Sequence, residues 1–271
     1  MPGGDMLLAM AKLSALCDLL DAFAPPCLAE DWDNTGLLMG DRSMEVGRVM
    51  TCLTLTPDSA AEAVDERADL VVTHHPLPFR PLAKITTDTV EGGMLWRLAR
   101  AGVAVYSPHT AFDSAASGIN AALANALKLR SAAPLNPTED EPAVGAGRIG
   151  LLPTAATLEE VAARIREFTA AESVRVVGPV GKSIASAAVA CGSGGSFIAS
   201  AATAGADVLI TGEATFHNCL AAQAAGLALV LPGHYASERF AVERLAEWLA
   251  KEAAGLAVWP SIRERDPLRT L

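Results

Sequence analysis

Five histidines occur in the 271 residues, in four short segments: THHP at 73–76, PHTAFD at 108–113, FHN at 216–218 and GHYASE at 233–238. Imidazole is the commonest metal ligand and the side chain that moves protons near neutral pH, so these segments are candidates for metal or acid–base chemistry. His74 and His75 follow the apolar run DLVV and precede Pro76 and Pro78. Neighbouring side chains on an extended backbone diverge, so the pair suits two ions a short distance apart; the alternative is a helix cap or a packed ring. His109 follows the apolar run VAVYS, with Asp113 four residues on. Asp113 reads equally as an N-cap, accepting from open backbone N–H groups of the helix that follows. His234 and Glu238 are four residues apart where a helix opens, which places both on one face. On a solvated surface such a pair would contribute little. Three segments each bringing imidazole or carboxylate to a strand's carboxyl end combine into a different expectation. His74, His75, Asp113, His234 and Glu238 supply mixed nitrogen and oxygen ligands suited to two divalent first-row ions, with one carboxylate able to bridge.

The glycine-rich CGSGGSF at 191–197 matches neither a dinucleotide nor a Walker loop. It could offer N–H groups to an anion at Ser193–Ser196, or it is a tight strand-to-helix turn.

The elements that must position these residues alternate short β-branched runs with Ala- and Leu-rich segments, the pattern of repeated strand and helix units. Strands are expected at 48–55, 69–73 and 103–106, with helices at 57–67, 92–101 and 115–129. The stretch 131–147, with three prolines and three acidic residues, reads as a linker. Beyond it, strands are expected near Ile149 and at 174–177, 187–190, 208–210 and 228–231, and helices at 158–169, 197–204, 214–225 and from about His234 to Ala250. The fold class is therefore α/β with two α/β domains. The strand-like 256–259 could return to either sheet.

Lys+Arg 21 against Asp+Glu 31 gives a formal charge of −10. That balance makes nucleic acid an unlikely partner, because phosphate-backbone binding needs clustered cations. A hydrophobic fraction of 51% excludes a disordered chain. The five cysteines contain no C-x-x-C pair, which suits a reducing compartment, and the expected location is the cytoplasm. Asp5, Lys12 and Asp18 interrupt the apolar stretch of residues 1–20, which reads as an amphipathic helix and not a signal peptide. No run is long and apolar enough to span a membrane.

EDWDNTGLLMG (30–40), VVTHHPLPF (71–79), SPHTAFD (107–113), ADVLITGEATFHN (206–218) and GHYASE (233–238) together resemble the Nif-three-like dinuclear-metal-centre family, also called homologues of the type 2 form of GTP cyclohydrolase I. The similarity runs in order from about Leu13 to the C-terminus. It implies a Nif-three-like fold in which residues 1–130 and 232–271 form the first domain and residues 148–231 an inserted second one. It also implies two divalent metal ions in an interdomain cleft and a homohexameric toroid. The implied ligands are His74, His75, Asp113, His234 and Glu238, with Glu238 bridging; His109 and His217 would line the pocket as candidate acid or base. The ions could be zinc, iron, manganese, cobalt or nickel. The family's HTNLD stands here as HTAFD, with Ala111 and Phe112, and its frequent Asp after the TG of the second domain is Glu213. The activity implied is metal-dependent hydrolysis of a purine nucleotide, by analogy opening of the GTP imidazole ring. A metallophosphoesterase and a noncatalytic metal-binding assembly factor are the alternatives.

Overall fold

The computed structural model describes residues 10–138 and 142–270. Its elements begin with β1 (Ala11–Lys12), α1 (Leu13–Phe23), β2 (Gly36–Met39), β3 (Glu45–Val46), β4 (Arg48–Cys52), α2 (Pro57–Asp65), β5 (Leu70–Thr73), α3 (Val90–Ala101) and β6 (Ala104–Ser107). Next come α4 (His109–Ser114), α5 (Ile119–Ala126), β7 (Arg130–Ala133), β8 (Asn136–Pro137), β9 (Gly145–Ala146), β10 (Arg148–Thr157), α6 (Leu158–Thr169), β11 (Arg175–Val177) and β12 (Ser183–Val189). The remainder is α7 (Ile198–Thr203), β13 (Val208–Ile210), α8 (Phe216–Ala224), β14 (Ala228–Leu231), α9 (His234–Glu252) and β15 (Ala257–Pro260). The first nine residues of the amphipathic helix expected at the N-terminus lie outside the described residues; the helix α1 begins at Leu13. No helix among the described residues is long and apolar enough to cross a membrane.

The chain divides into two compact units, one running through Thr110 and resuming over Val242–Arg265, the other Ala111–Ala241 with the tail from Asp266. The boundaries between these units fall inside α4 and α9. Ala111, Phe112 and Ala115, near the start of the second unit, are buried.

The first unit holds a sheet ordered β15-β4-β5-β6-β2, parallel except for β2. Every residue of β5 and β6 is buried, as strands covered on both faces require, so they read as continuous apolar runs without alternation. Met50, Val71 and Val105 of this sheet pack with Ala60 of α2 and Leu95 and Leu98 of α3. Helix α2 is opened by Pro57 and a reciprocal cap between Thr56 and Ser59. The uncertainty over 256–259 resolves in favour of this sheet, where β15 pairs in parallel with β4.

The second unit holds a sheet ordered β11-β14-β13-β12-β10-β7, with β12, β13 and β14 parallel and the outer strands antiparallel. Ala188, Leu209 and Leu229 meet Ile198 of α7 and Ala222 of α8 in its core. The stretch expected as a linker is largely built into this unit, although residues 139–141 lie outside the described residues. β7 pairs with β10, and β8 with β9, through main-chain bonds that leave Arg130–Ala133 exposed and so need no apolar periodicity. The helix expected at 115–129 is the shorter α5, Ile119–Ala126, and a separate short helix, α4, precedes it. The chain turns between them at Gly118, where a Cβ would lie 1.9 Å from the Phe112 carbonyl oxygen.

Two buried carboxylates tie the C-terminal segment of the first unit to its sheet. Glu62 accepts from Ser261 Oγ at 2.7 Å and from the N–H groups of Ile262 and Arg263, each at 2.9 Å. Glu264 accepts from Leu53 N at 2.9 Å, at the carboxyl end of β4. Burial would raise the Glu62 carboxyl, but the bonds from Ile262, Ser261 and Arg263 outweigh it and hold it below the usual glutamate range. A carboxyl that titrates lower folded than unfolded stabilises fully above its unfolded value, about 4.3, and the stabilisation is lost as pH falls through the folded value. Glu62→Ala, which removes the acceptor shared by buried Ser261 Oγ and the Ile262 and Arg263 N–H groups, is expected to cost about 1–3 kcal/mol at pH 7. Urea unfolding checks this, and the gap between variant and wild type should narrow as pH falls below about 4.3.

Candidate metal centre

The first unit gathers three imidazoles beyond the ends of adjacent parallel strands, where open α/β sheets bind ligands. His74 and His75 follow β5, and His109 opens α4 just after β6. Each offers a ring nitrogen, and these lie within 4.8 Å of one another. Ring centroids are 5.0 Å apart for His74 and His75, 5.1 Å for His74 and His109, and 5.6 Å for His75 and His109.

The backbone here is tied down. His74 N donates to Cys52 O at 2.9 Å and His75 N to Leu53 O at 2.8 Å, which extends the β4–β5 pairing past its strands. Ser107 Oγ donates to His74 O at 2.7 Å. The rings are oriented as well: His75 Nδ1 is 2.7 Å from Thr54 Oγ1, and His109 Nδ1 is 2.7 Å from Asp33 Oδ1. Asp33 also accepts from Thr110 N at 3.1 Å, from Thr110 Oγ1, and from Asn34 N at 2.8 Å. Burial would raise its carboxyl, but the bonds from His109 and Thr110 win and hold it at about 2. Asp33 is therefore a carboxylate, which places the proton of a neutral His109 on Nδ1 and leaves Nε2 the lone pair. His109 sits at φ +27°, a region that disfavours side-chain-bearing residues, so the local structure holds a strained backbone where this ring is presented.

In the second unit, His234 stands between two carboxylates. Nδ1 is 2.9 Å from Glu213 Oε1, and Nε2 is 3.1 Å from Glu238 Oε2, one helical turn along α9. The Glu238 bond, opposed by burial and aided by Glu213, pushes the imidazole up to about 9. A proton and a metal ion compete for the same Nε2 lone pair, so any metal taken up here must displace the proton. Glu238 is buried, 3% exposed.

Asp113 departs from its expected capping role. It lies inside α4, and α5 opens at Gly118 with no side-chain cap. Its Oδ1 accepts from Cys191 Sγ at 3.1 Å, while its carbonyl accepts from Asn120 Nδ2 at 3.1 Å. Burial first, then the charges of Asp113 and Glu238, push the Cys191 thiol well up, so it stays protonated as a donor.

Of the two readings of 191–197, the tight turn explains most of the loop. Gly192 N donates to Ser237 Oγ at 3.0 Å and Gly194 N to Thr211 Oγ1 at 2.9 Å, so two of its N–H groups are committed internally. Gly192 has φ +60°, and a Cβ on it would lie 2.2 Å from Glu238 Oε1. Ala111 and Phe112, the departures from HTNLD, are both buried, 1% and 2% exposed, and serve packing. His217 stands apart: it is exposed on the first turn of α8, its ring 5.7 Å from that of Phe216.

The pattern matches known proteins over nearly the whole chain. Residues 11–267 match the family model described as Duf34/NIF3 (NGG1p interacting factor 3). The chain belongs to the DUF34/NIF3 family. It is 36% identical over 230 residues to a protein of Clostridium acetobutylicum named GTP cyclohydrolase 1 type 2 homolog, covering 84% of this chain and 85% of that one. It is 34% identical to the Schizosaccharomyces pombe protein NIF3 homolog, with 95% and 98% covered. Among solved structures, a Bacillus cereus protein related to NIF3 superposes with a TM-score of 0.87 at 22% identity, covering 97% of this chain and 99% of that one. The fold is accordingly the α/β fold of this family.

Sequence reasoning placed His109 in the pocket without grouping it with His74 and His75, and it assigned no role to Asp33, Cys191 or Gly192. Asp33 lies in EDWDNTG, but nothing local pairs it with a ring 76 positions away. Gly192→Ala is expected to displace the Glu238 carboxylate and add backbone strain, lowering stability by about 1–3 kcal/mol. Thermal unfolding measures the loss, and elemental analysis of metal-incubated protein should show reduced loading.

Proposed function

We propose that this chain binds two divalent first-row metal ions and hydrolyses a purine nucleotide. The ligands in this reading are His74, His75, Asp113, His234 and Glu238, with Glu238 bridging. The observation that carries it is the cluster of three imidazoles in the first unit, one of them backed by a buried carboxylate. Rings that ligate metals characteristically give their second nitrogen to a carboxylate or another acceptor. Among the ligands named, the Glu213–His234 pair has that form. The donor set fits zinc, iron, manganese, cobalt or nickel, for which imidazole mixed with carboxylate is suitable. The relatives' name, GTP cyclohydrolase 1 type 2 homolog, supports ring opening of GTP as the reaction, and a homohexamer as the assembly follows from the same resemblance.

Two bound ions would lower the pKa of a water and polarise an imine, carbonyl or phosphoryl oxygen. The chain's own contribution is orientation and proton transfer. His109, anchored by Asp33 and 13% exposed, carries protons at Nε2, a position fixed to within one hydrogen bond. His217 is in open water, so the acid–base role goes to His109. The remaining histidines and carboxylates hold position, and their backbones are locked into strand ends and helix starts.

The test is elemental analysis and turnover on the full chain. Wild type is expected to carry two ions per chain and to release formate from GTP, whereas Asp113→Ala should lose at least one ion and the activity with it. Unchanged loading in the variant would remove Asp113 from the ligand set. Phosphate release from nucleotides without formate would make the protein a phosphoesterase, and two ions with no turnover would make it a noncatalytic metal-binding protein.

A further inference from the structure

Three aromatic rings meet in the first unit in a way that the metal reading leaves unexplained. Trp32 and Phe79 are large and apolar, yet 61% and 41% exposed. Their centroids are 6.0 Å apart with planes at 64°. Each also stands 6.2 Å from the His109 ring, at 77° for Trp32 and 89° for Phe79. The three planes are thus steeply inclined to one another, like the walls of a box corner, with the proton-carrying imidazole as the most buried wall. A planar ring laid against one wall meets the other two edge-on, and both contacts are favourable aromatic geometries.

The corner is built and held before any ligand arrives. Trp32 precedes the buried Asp33, and Asn34 Nδ2 donates to Pro78 O at 2.7 Å, which ties the loop carrying Trp32 to the loop carrying Phe79. The Arg80 guanidinium lies over the Phe79 ring, 5.7 Å from its centroid, which brings a cation beside the corner. Large aromatic faces kept in water on fixed loops beside a catalytic imidazole suit a ligand that stacks.

We infer that Trp32 and Phe79 form a stacking subsite for the planar heteroaromatic ring of the substrate, holding it edge-on to His109. This deepens the hydrolase reading and rests on it for the role of His109, but binding is measured without turnover. The probe is guanosine 5′-monophosphate, titrated calorimetrically into the full chain with ribose 5-phosphate as the control lacking a base. Trp32→Ala and Phe79→Ala should each weaken guanosine monophosphate binding about 5- to 150-fold, the range for losing one base–aromatic stack. Ribose 5-phosphate binding should not change. Trp32→Phe should restore most of the affinity and Trp32→Leu little of it, which separates stacking from mere apolar contact. Wild-type affinity in both alanine variants, or full rescue by leucine, would overturn the inference. So would sedimentation showing that Trp32→Ala dissociates the protein while each chain binds the probe as before, because the corner would then be a subunit contact. If stacking fails while metal loading and formate release persist, the hydrolase reading stands; if stacking holds but no hydrolysis occurs, that reading falls and the subsite remains.

Discussion

A carboxylate removed from water organises the first unit's site. The Asp33 side chain is fully buried and charged, a state that is costly unless every lone pair finds a donor. The donors come from the chain entering α4, the His109 ring and the Thr110 N–H and hydroxyl, together with the neighbouring Asn34 N–H. Satisfying one buried charge therefore fixes where α4 starts, turns His109 into a disfavoured backbone conformation and sets which ring nitrogen carries the proton. It also positions Trp32, the residue before Asp33, against His109. Removing Asp33 would take from the His109 ring and the Thr110 N–H the acceptor that they share.

The second unit applies the same logic with the signs exchanged. Here the buried or half-buried groups at the site are mostly acidic, and an imidazole lies among them. Glu238, Glu213 and Asp113 bring negative charge close together, and His234 responds by holding its proton strongly. A cluster of this kind is poised for a cation: the proton already there is the smallest occupant, and a metal ion competes for the same lone pair. Cys191 is kept neutral by the same field, so it donates a weak hydrogen bond to Asp113 and adds no further charge. Gly192 is small because the Glu238 carboxylate fills the space in which a side chain would stand.

Both units use the ends of parallel strands for this chemistry. Strands β4, β5 and β6 are buried apart from Arg48, and the site residues stand just past their carboxyl ends. That is where Thr54, His74, His75 and His109 lie. The C-terminal strand β15 completes the first sheet, and Glu264 behind it binds Leu53 N, next to the threonine that holds His75. Structural and functional hydrogen bonds thus share the same few residues at the top of β4.

The strand and helix alternation was legible because apolar runs of four to five residues fit strands buried on both faces, and a proline such as Pro57 marks a helix start locally. The five ligand candidates were legible as short motifs, since histidine is rare here and each sits beside a strand end or helix start. The pairing of 130–146 into strands was not, because main-chain hydrogen bonds leave no mark on an exposed, proline-rich stretch. Nor was the turn at 115–118 that delays the start of α5, which depends on how closely Gly118 approaches a carbonyl. The sequence by itself determined which residue types are available and which segments carry them. Only the tertiary structure decided that Asp33 orients His109, that Trp32 and Phe79 frame it, and that Glu238 needs Gly192, because each is a contact of a few ångströms between residues far apart along the chain.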